Sequence, residues 1–95
     1  METKDIQITV QDRVCWITLN RPKKLNSISL AMHRSIRTTL DELDKNVKCV
    51  IITGTGGRAF SAGADISEIE GLTSDEAEKY SREGHKTIMK LLQVW

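Results

Sequence analysis

The chain has no long apolar run. Its most apolar stretches, such as Cys49-Val50-Ile51-Ile52, fall far short of the roughly 20 residues that span a bilayer as a helix. Met1-Glu2-Thr3-Lys4-Asp5 is charged and leads into no apolar core, so no secretory leader is visible. Charge of one sign is missing too. Fourteen basic residues face thirteen acidic ones, and the signs are interspersed. No basic block invites nucleic acid, no acidic tail is present, and neither a nucleic-acid nor a membrane partner is expected. Cysteine is scarce: Cys15 and Cys49 lie far apart, each inside a strand-like run, with neither CxxC spacing nor a disulfide framework. Both read as buried, reduced thiols. A soluble, cytoplasmic protein without a metal site is the expectation. No internal repeat or low-complexity linker occurs.

Several chemical signatures are also lacking. Gly54-Thr55-Gly56-Gly57-Arg58-Ala59 formally matches the G-x-G-x-x-A dinucleotide fingerprint. However, no helix follows at once, and no second strand presents an acid about 20 residues on. No Gly-Lys-Ser/Thr follows to make a P-loop. Ser61 and His85 lack the Gly-x-Ser-x-Gly elbow that would make a triad credible. His33 and His85 have no ligand spacing around them and read as ordinary helix residues.

What is present is periodicity. At 95 residues the chain holds at most one small domain. Such a chain buries only about 60–65% of its unfolded surface, so stability would be marginal. Ile6-Gln7-Ile8-Thr9-Val10 alternates with period two, Gln11-Asp12-Arg13 is a polar turn, and Val14 to Leu19 is a β-rich run. Together they predict a hairpin ended by Asn20-Arg21-Pro22. Ser29 to Leu43 reads as a helix capped by Ser29, with Leu30, His33, Ile36, Thr39 or Leu40, and Leu43 on one face. Asp41, Glu42 and Asp44 oppose the dipole at its far end, which should fray or be offset by Lys45 and Lys48. Val47 to Thr53 is continuous and β-branched, the pattern of a parallel strand buried on both faces.

A loop holding four of the six glycines follows, from Gly54 to Asp65. Bare backbone N–H groups in such a loop can approach a ligand closely. Asp65 can cap the short turn Ile66-Ser67-Glu68-Ile69. Free N–H groups aimed outward there would suit a developing oxyanion, although a plain connecting loop with a capped turn fits the same residues. Asp65, Glu68 and Glu70 read mainly as capping or solvated carboxylates, with Glu68 the one to face a pocket. Thr73 and Glu76 resemble a capping box. The helix they open should run to the end, with Ala77, Tyr80, Gly84, Ile88, Leu91, Leu92 and Trp95 on one face. Gly84 is expected there for close packing. The apolar, uncapped terminus reads as a chain cut short.

Two stretches carry a family resemblance. Val50-Ile51-Ile52-Thr53-Gly54 with Arg58-Ala59-Phe60-Ser61-Ala62-Gly63-Ala64-Asp65-Ile66 resembles the signature of the crotonase superfamily, the enoyl-CoA hydratases and isomerases. Leu19-Asn20-Arg21-Pro22-Lys23-Lys24-Leu25-Asn26-Ser27 resembles its upstream partner loop, at the right spacing. The likeness covers essentially the whole chain and only the N-terminal part of the family domain.

The resemblance implies an α/β fold, the first part of a crotonase-like spiral of β-β-α units. It implies an acyl-CoA enzyme of fatty acid metabolism without a prosthetic group, its coenzyme A thioester being the substrate. The leading reaction is lyase-type hydration of a 2-enoyl-CoA through a thioester enolate, with isomerase, dehydratase and hydrolase relatives sharing these motifs. By position, the Ala64 N–H is one of two oxyanion donors. Ala62 and Ile66, with Gly63 and Asp65 between, line the coenzyme, and Lys24 and Leu25 close over it. Lys24 stands where a small residue is frequent. The second donor and two glutamates would lie beyond residue 95, and full-length relatives would form trimers or hexamers. A different reading is a non-enzymatic module that binds coenzyme A weakly or pairs with full-length relatives through its Trp95 end.

Overall fold

A two-residue turn folds the N-terminal segment back on itself. In the computed structural model, which describes residues 3–94, strands β1 (Ile6–Gln11) and β2 (Val14–Leu19) pair antiparallel, from Ile6 opposite Leu19 to Gln11 opposite Val14. Asp12 and Arg13 both take positive φ, 53° and 66°, the primed-turn geometry that matches strand twist. Gln11, expected in the turn, is the last residue of β1. A 3₁₀ turn at Pro22–Lys24 follows, with proline in its first turn. Helix α1 (Leu30–Asp41) then returns the chain to β3 (Cys49–Gly54), which lies parallel to β2. The sheet order is β1-β2-β3. A one-turn helix α2 (Ile66–Ile69) and the long α3 (Ser74–Gln93) complete the described chain. The hairpin followed by α1 makes one β-β-α unit.

Alternation decides which sheet face is covered. Ile6, Cys15, Ile17 and Leu19 are buried against Met32, Ile36 and Leu40 of α1 and against Val47, each large side chain contributing about 1.5–3 kcal/mol. The opposite face carries Gln7, Thr9, Cys49 and a Trp16 that remains 40% exposed. This corrects the expectation for β3. Among the described residues no layer covers the second face and no strand pairs with the far edge of β3, so Val50 to Gly54 are only half-buried. For the same reason Cys49 is exposed while Cys15 is buried.

The helix caps form as the sequence predicts. Ser29 accepts from the Met32 amide at 3.2 Å, and Thr73 and Glu76 form a reciprocal capping box. The end of α1 does not depend on Lys45 or Lys48: Asp41 pairs with Lys90 of α3. Its buried face is Met32, Ser35, Ile36, Thr39 and Leu40 rather than one including Leu30, His33 and Leu43, which are half-buried.

Helix α3 presents a different face from the one its apolar spacing predicts. Thr87 is buried and Tyr80, Glu83, Gly84, Leu91 and Val94 are half-buried, while Ala77, Ile88 and Leu92 are exposed, Leu92 at 76%. Trp95 lies outside the described residues, as do Met1 and Glu2. A polar lock sets the rotation. The Arg37 guanidinium donates to the Glu83 carbonyl at 2.7 Å, to Thr87 Oγ1 at 3.0 Å and to Glu83 Oε1 at 2.8 Å. His33 Nδ1 lies 2.9 Å from the same Thr87 hydroxyl. Satisfying a buried guanidinium outweighs burying two more aliphatic side chains, because an unpaired buried charge costs far more than one exposed leucine.

Gly84 faces the His33 ring, but a Cβ there would lie 3.5 Å from Nε2, an ordinary contact. Space therefore does not require glycine. Gly84→Ala should raise stability by about 0.5–1 kcal/mol through helix propensity, read as a higher urea midpoint.

Burial, then the neighbouring Arg37, holds the His33 imidazole below its ordinary value, while Glu83 and Glu68 oppose the shift. With the folded value lowered, the unfolded chain binds more protons between the two values. The stability from neutral His33 is present above the ordinary value of 6.5 and is lost as pH falls through the folded one. Stability followed from neutral to mildly acidic pH should therefore decline, and the decline should be blunted in His33→Gln.

Candidate functional site

One buried amide joins the two motif loops. Asn26 is fully buried with φ 56°, a left-handed conformation that asparagine tolerates better than most residues. Its Oδ1 accepts from the Arg21 amide at 2.8 Å, and its Nδ2 donates to the Thr55 carbonyl at 2.9 Å and the Ala59 carbonyl at 3.0 Å. The Asn26 carbonyl accepts from Ser61 Oγ at 2.8 Å. Leu25 also has positive φ, 52°, a strained state for a bulky residue. Its carbonyl accepts from the Ala62 amide at 2.9 Å.

The seam continues as a short parallel ladder. The Ile28 amide donates to the Gly63 carbonyl at 2.7 Å, and the Asp65 amide donates to the Ile28 carbonyl at 3.2 Å, bridging Ile28 with Ala64. In such a bridge the groups that bond belong to the residues flanking Ala64. The Ala64 N–H therefore faces away from Ile28. It donates to no group among the described residues, and Ala64 is exposed. Gly63 takes φ 101°, a conformation that side chains rarely adopt, and its amide donates to Ser61 Oγ at 3.1 Å. Nothing among the described residues crowds Gly63, so it is conformation rather than protein packing that demands glycine there. Gly54 differs. A Cβ on it would collide with the Phe60 carbonyl oxygen and lie 2.7 Å from Asn26 Nδ2.

An ion pair closes the seam. Arg21 NH2 lies 3.1 Å from Asp65 Oδ2, and both side chains are largely buried. Arg21 NH1 also donates to the Ser27 carbonyl at 3.0 Å. The other Asp65 oxygen caps α2, accepting from the Ser67 amide at 3.0 Å and the Ser67 hydroxyl at 2.7 Å. The Ser67 hydroxyl first, then Arg21, holds the Asp65 carboxyl below its ordinary range. Asp65 is thus a structural clamp as well as the predicted cap.

Leu25, Ala62, Gly63, Ala64 and Asp65 therefore lie along one seam, with Ile66 beside it, 72% exposed. Lys24 is exposed beside Leu25 and lines a hollow of about 520 Å³ with Lys4, Lys23 and Arg21, apart from the Ala62–Ile66 stretch. Ser61 spends its hydroxyl on Asn26 and Gly63, and His85 is exposed, so no triad forms. Glu68 does face a hollow, of about 360 Å³, which it lines with Leu30, Arg34, Tyr80 and Glu83, and its Oε1 accepts from the Leu30 amide and the Tyr80 hydroxyl, each at 2.9 Å. Among the described residues no cluster of His, Cys, Asp or Glu could hold a metal ion, and no helix is long and apolar enough to cross a membrane. Sequence reasoning passed over Asn26 and Arg21. An asparagine and an arginine flanking a lone proline in a turn were the available signal.

Comparison with known proteins places this geometry. The enoyl-CoA hydratase/isomerase family profile matches residues 14–93. The chain belongs to that family. It is 33% identical over 93 residues to a short-chain-enoyl-CoA hydratase of Clostridium acetobutylicum, covering 96% of this chain and 36% of that one. It is 44% identical over 73 residues to the mitochondrial 3-hydroxyisobutyryl-CoA hydrolase of Mus musculus, covering 73% and 19%. The structure matches an enoyl-CoA hydratase from Bacillus anthracis with TM-score 0.88 at 30% identity, over 95% of this chain and 36% of that one. The fold is the N-terminal part of the crotonase type. The chain spans about a third of the length of that hydratase relative.

Asn26→Ala should destabilise by about 3 kcal/mol or more, since it strands three partly buried backbone partners at roughly 1–3 kcal/mol each. Asn26→Gly should recover only the conformational part, about 1 kcal/mol. Asn26→Asp should be nearly as damaging as alanine, because it turns a carboxylate oxygen toward the Thr55 and Ala59 carbonyls that Nδ2 now serves. Urea midpoints of the three variants test the ranking.

Proposed function

We propose that this chain contributes the Ala64 N–H as one oxyanion donor to a coenzyme A thioester site, with hydration of a 2-enoyl-CoA as the reaction. The observation that carries the reading is the Ile28–Ala64 bridge, which turns a backbone donor out of the ladder. The loop also supplies small residues on both sides of it, Ala62 and Gly63, so a thioester carbonyl can come within hydrogen-bond reach. Leu25, Ala62, Gly63, Asp65 and Ile66 would flank the coenzyme, and Lys24 would meet its charged end. No prosthetic group is required. The whole enzyme would be a cytoplasmic homo-oligomer.

A carbonyl bound by such a donor gains electron density as the enolate forms, so the hydrogen bond strengthens most in the transition state. One donor does not complete an oxyanion hole, and Asp65 and the Oε1 of Glu68 are already engaged by other groups. The acid and base would come from the remaining length that the relatives possess. Hydratase and hydrolase relatives both match this segment. Hydration is preferred because the match to the Clostridium hydratase covers 96% of the chain and that to the mouse hydrolase 73%.

A polypeptide of these residues alone should hydrate no crotonyl-CoA. In a chain extended to the length of its relatives, Ala64→Gly should keep much of the activity, because the donor survives. Ala64→Pro removes the N–H and should lower kcat by about 10²–10³. Circular dichroism and acyl-CoA binding must first show the proline variant folded. A folded, binding Ala64→Pro with the parent's kcat would leave the loop a coenzyme-binding element only.

A further inference from the structure

The loop that carries Ala64 is anchored at both ends, and only the upstream anchor belongs to the two motifs. Upstream, residues 62–65 are laced to Leu25 and Ile28, and Arg21 pairs with Asp65. Downstream lies α2, four residues long. A single turn is not stable by itself, since nucleation costs more than its few hydrogen bonds return. Something outside α2 must hold it.

Glu68 is placed to do so. One oxygen, Oε1, receives both the Leu30 amide and the Tyr80 hydroxyl at 2.9 Å. Leu30 is the first residue of α1, so its amide has no acceptor within the helix. The Ser29 cap serves Met32 instead. A carboxylate at that position also suits the positive end of the α1 dipole. Tyr80 lies on α3, so Glu68 ties α2 to both long helices at one point. Burial, then Glu68, pushes the Tyr80 hydroxyl up to about 12, which keeps it a donor at any ordinary pH.

We propose that Glu68 is a positioning residue for the Ala64 donor. Its carboxylate, held between the α1 N-terminus and Tyr80, fixes the downstream end of the loop and so sets the direction of the Ala64 N–H. That this N–H binds a thioester oxygen rests on the function proposed above; the positioning itself does not.

Amide hydrogen exchange on the 95-residue chain, labelled with ¹⁵N, separates the two. In Glu68→Ala the Ile28 and Asp65 amides, which form the ladder around Ala64, should exchange about tenfold faster or more by local opening. The Ile17 amide in the central strand should stay at the parent's rate. Glu68→Gln keeps an acceptor oxygen and should restore protection to near the parent's. Tyr80→Phe removes one of the two bonds and should give the same local pattern in weaker form. Unchanged exchange at Ile28 and Asp65 in Glu68→Ala overturns the proposal, and so does acceleration shared equally by Ile17. A second arm adds crotonyl-CoA and follows the Ala64 amide shift. If the parent shows no shift at saturating ligand, the thioester reading fails while the exchange result still decides the role of Glu68. If the parent shifts, Glu68→Ala should shift less and Glu68→Gln should follow the parent.

Discussion

The junction of the two motif loops depends on the side-chain amide of Asn26. It bonds its own loop, through the Arg21 amide, and the glycine-rich loop, through the Thr55 and Ala59 carbonyls. Inside a low-dielectric seam three such bonds are mutually reinforcing, and losing the amide would leave the partners without water to replace it. The left-handed pair Leu25-Asn26 then aims the Leu25 carbonyl at Ala62 and the Asn26 carbonyl at Ser61. The strain of the turn is thereby offset by the contacts it makes possible. Gly54 completes the arrangement by leaving room for Phe60 and Asn26 to meet its backbone.

The seam explains why the proposed site is built from main chain. Backbone donors held by a ladder do not change rotamer, and they need no protonation state. The sequence therefore shows the site by small residues and a positive-φ glycine, while the residues that orient it are polar side chains some distance away. Arg21 and Asp65 are 44 positions apart and largely buried as a pair. Such a pair costs much to desolvate, and breaking one partner is worse than never having had either. Its use here is orientation: one carboxylate oxygen faces Arg21 and the other caps α2.

Local signals were legible because each is a local rule. The hairpin, the Ser29 and Thr73 caps, the Asp65 cap and the parallel β3 all follow from spacing, propensity and neighbouring residues. The resemblance of the two loops gave the fold type. What the sequence could not show was set by partners distant along the chain. The rotation of α3 is decided by Arg37 reaching Glu83 and Thr87, not by the spacing of its aliphatic residues. The burial of β3 depends on layers and strands that the described residues do not contain, so a β-branched run became a half-buried edge. Asn26 and Glu68 look like ordinary polar residues in a loop and a short helix until their acceptors and donors are known.

The same reasoning separates the two carboxylates near the site. Asp65 and Glu68 are three residues apart in sequence, and both are candidates for a general acid or base by residue type. Each is already committed to other groups. Asp65 receives three hydrogen bonds, from Arg21 and from the amide and hydroxyl of Ser67, all of which favour its charged form. Glu68 receives two on one oxygen, from donors that belong to different helices. A general acid must hold a proton near neutral pH, and a general base must have an oxygen facing substrate. Asp65, held charged by its donors, fails the first test, and Glu68 has its Oε1 turned to the α1 N-terminus and to Tyr80. What this segment can provide is a fixed electrostatic environment, a backbone donor pointing out of a braced loop, onto which proton-transfer groups from elsewhere would have to be brought.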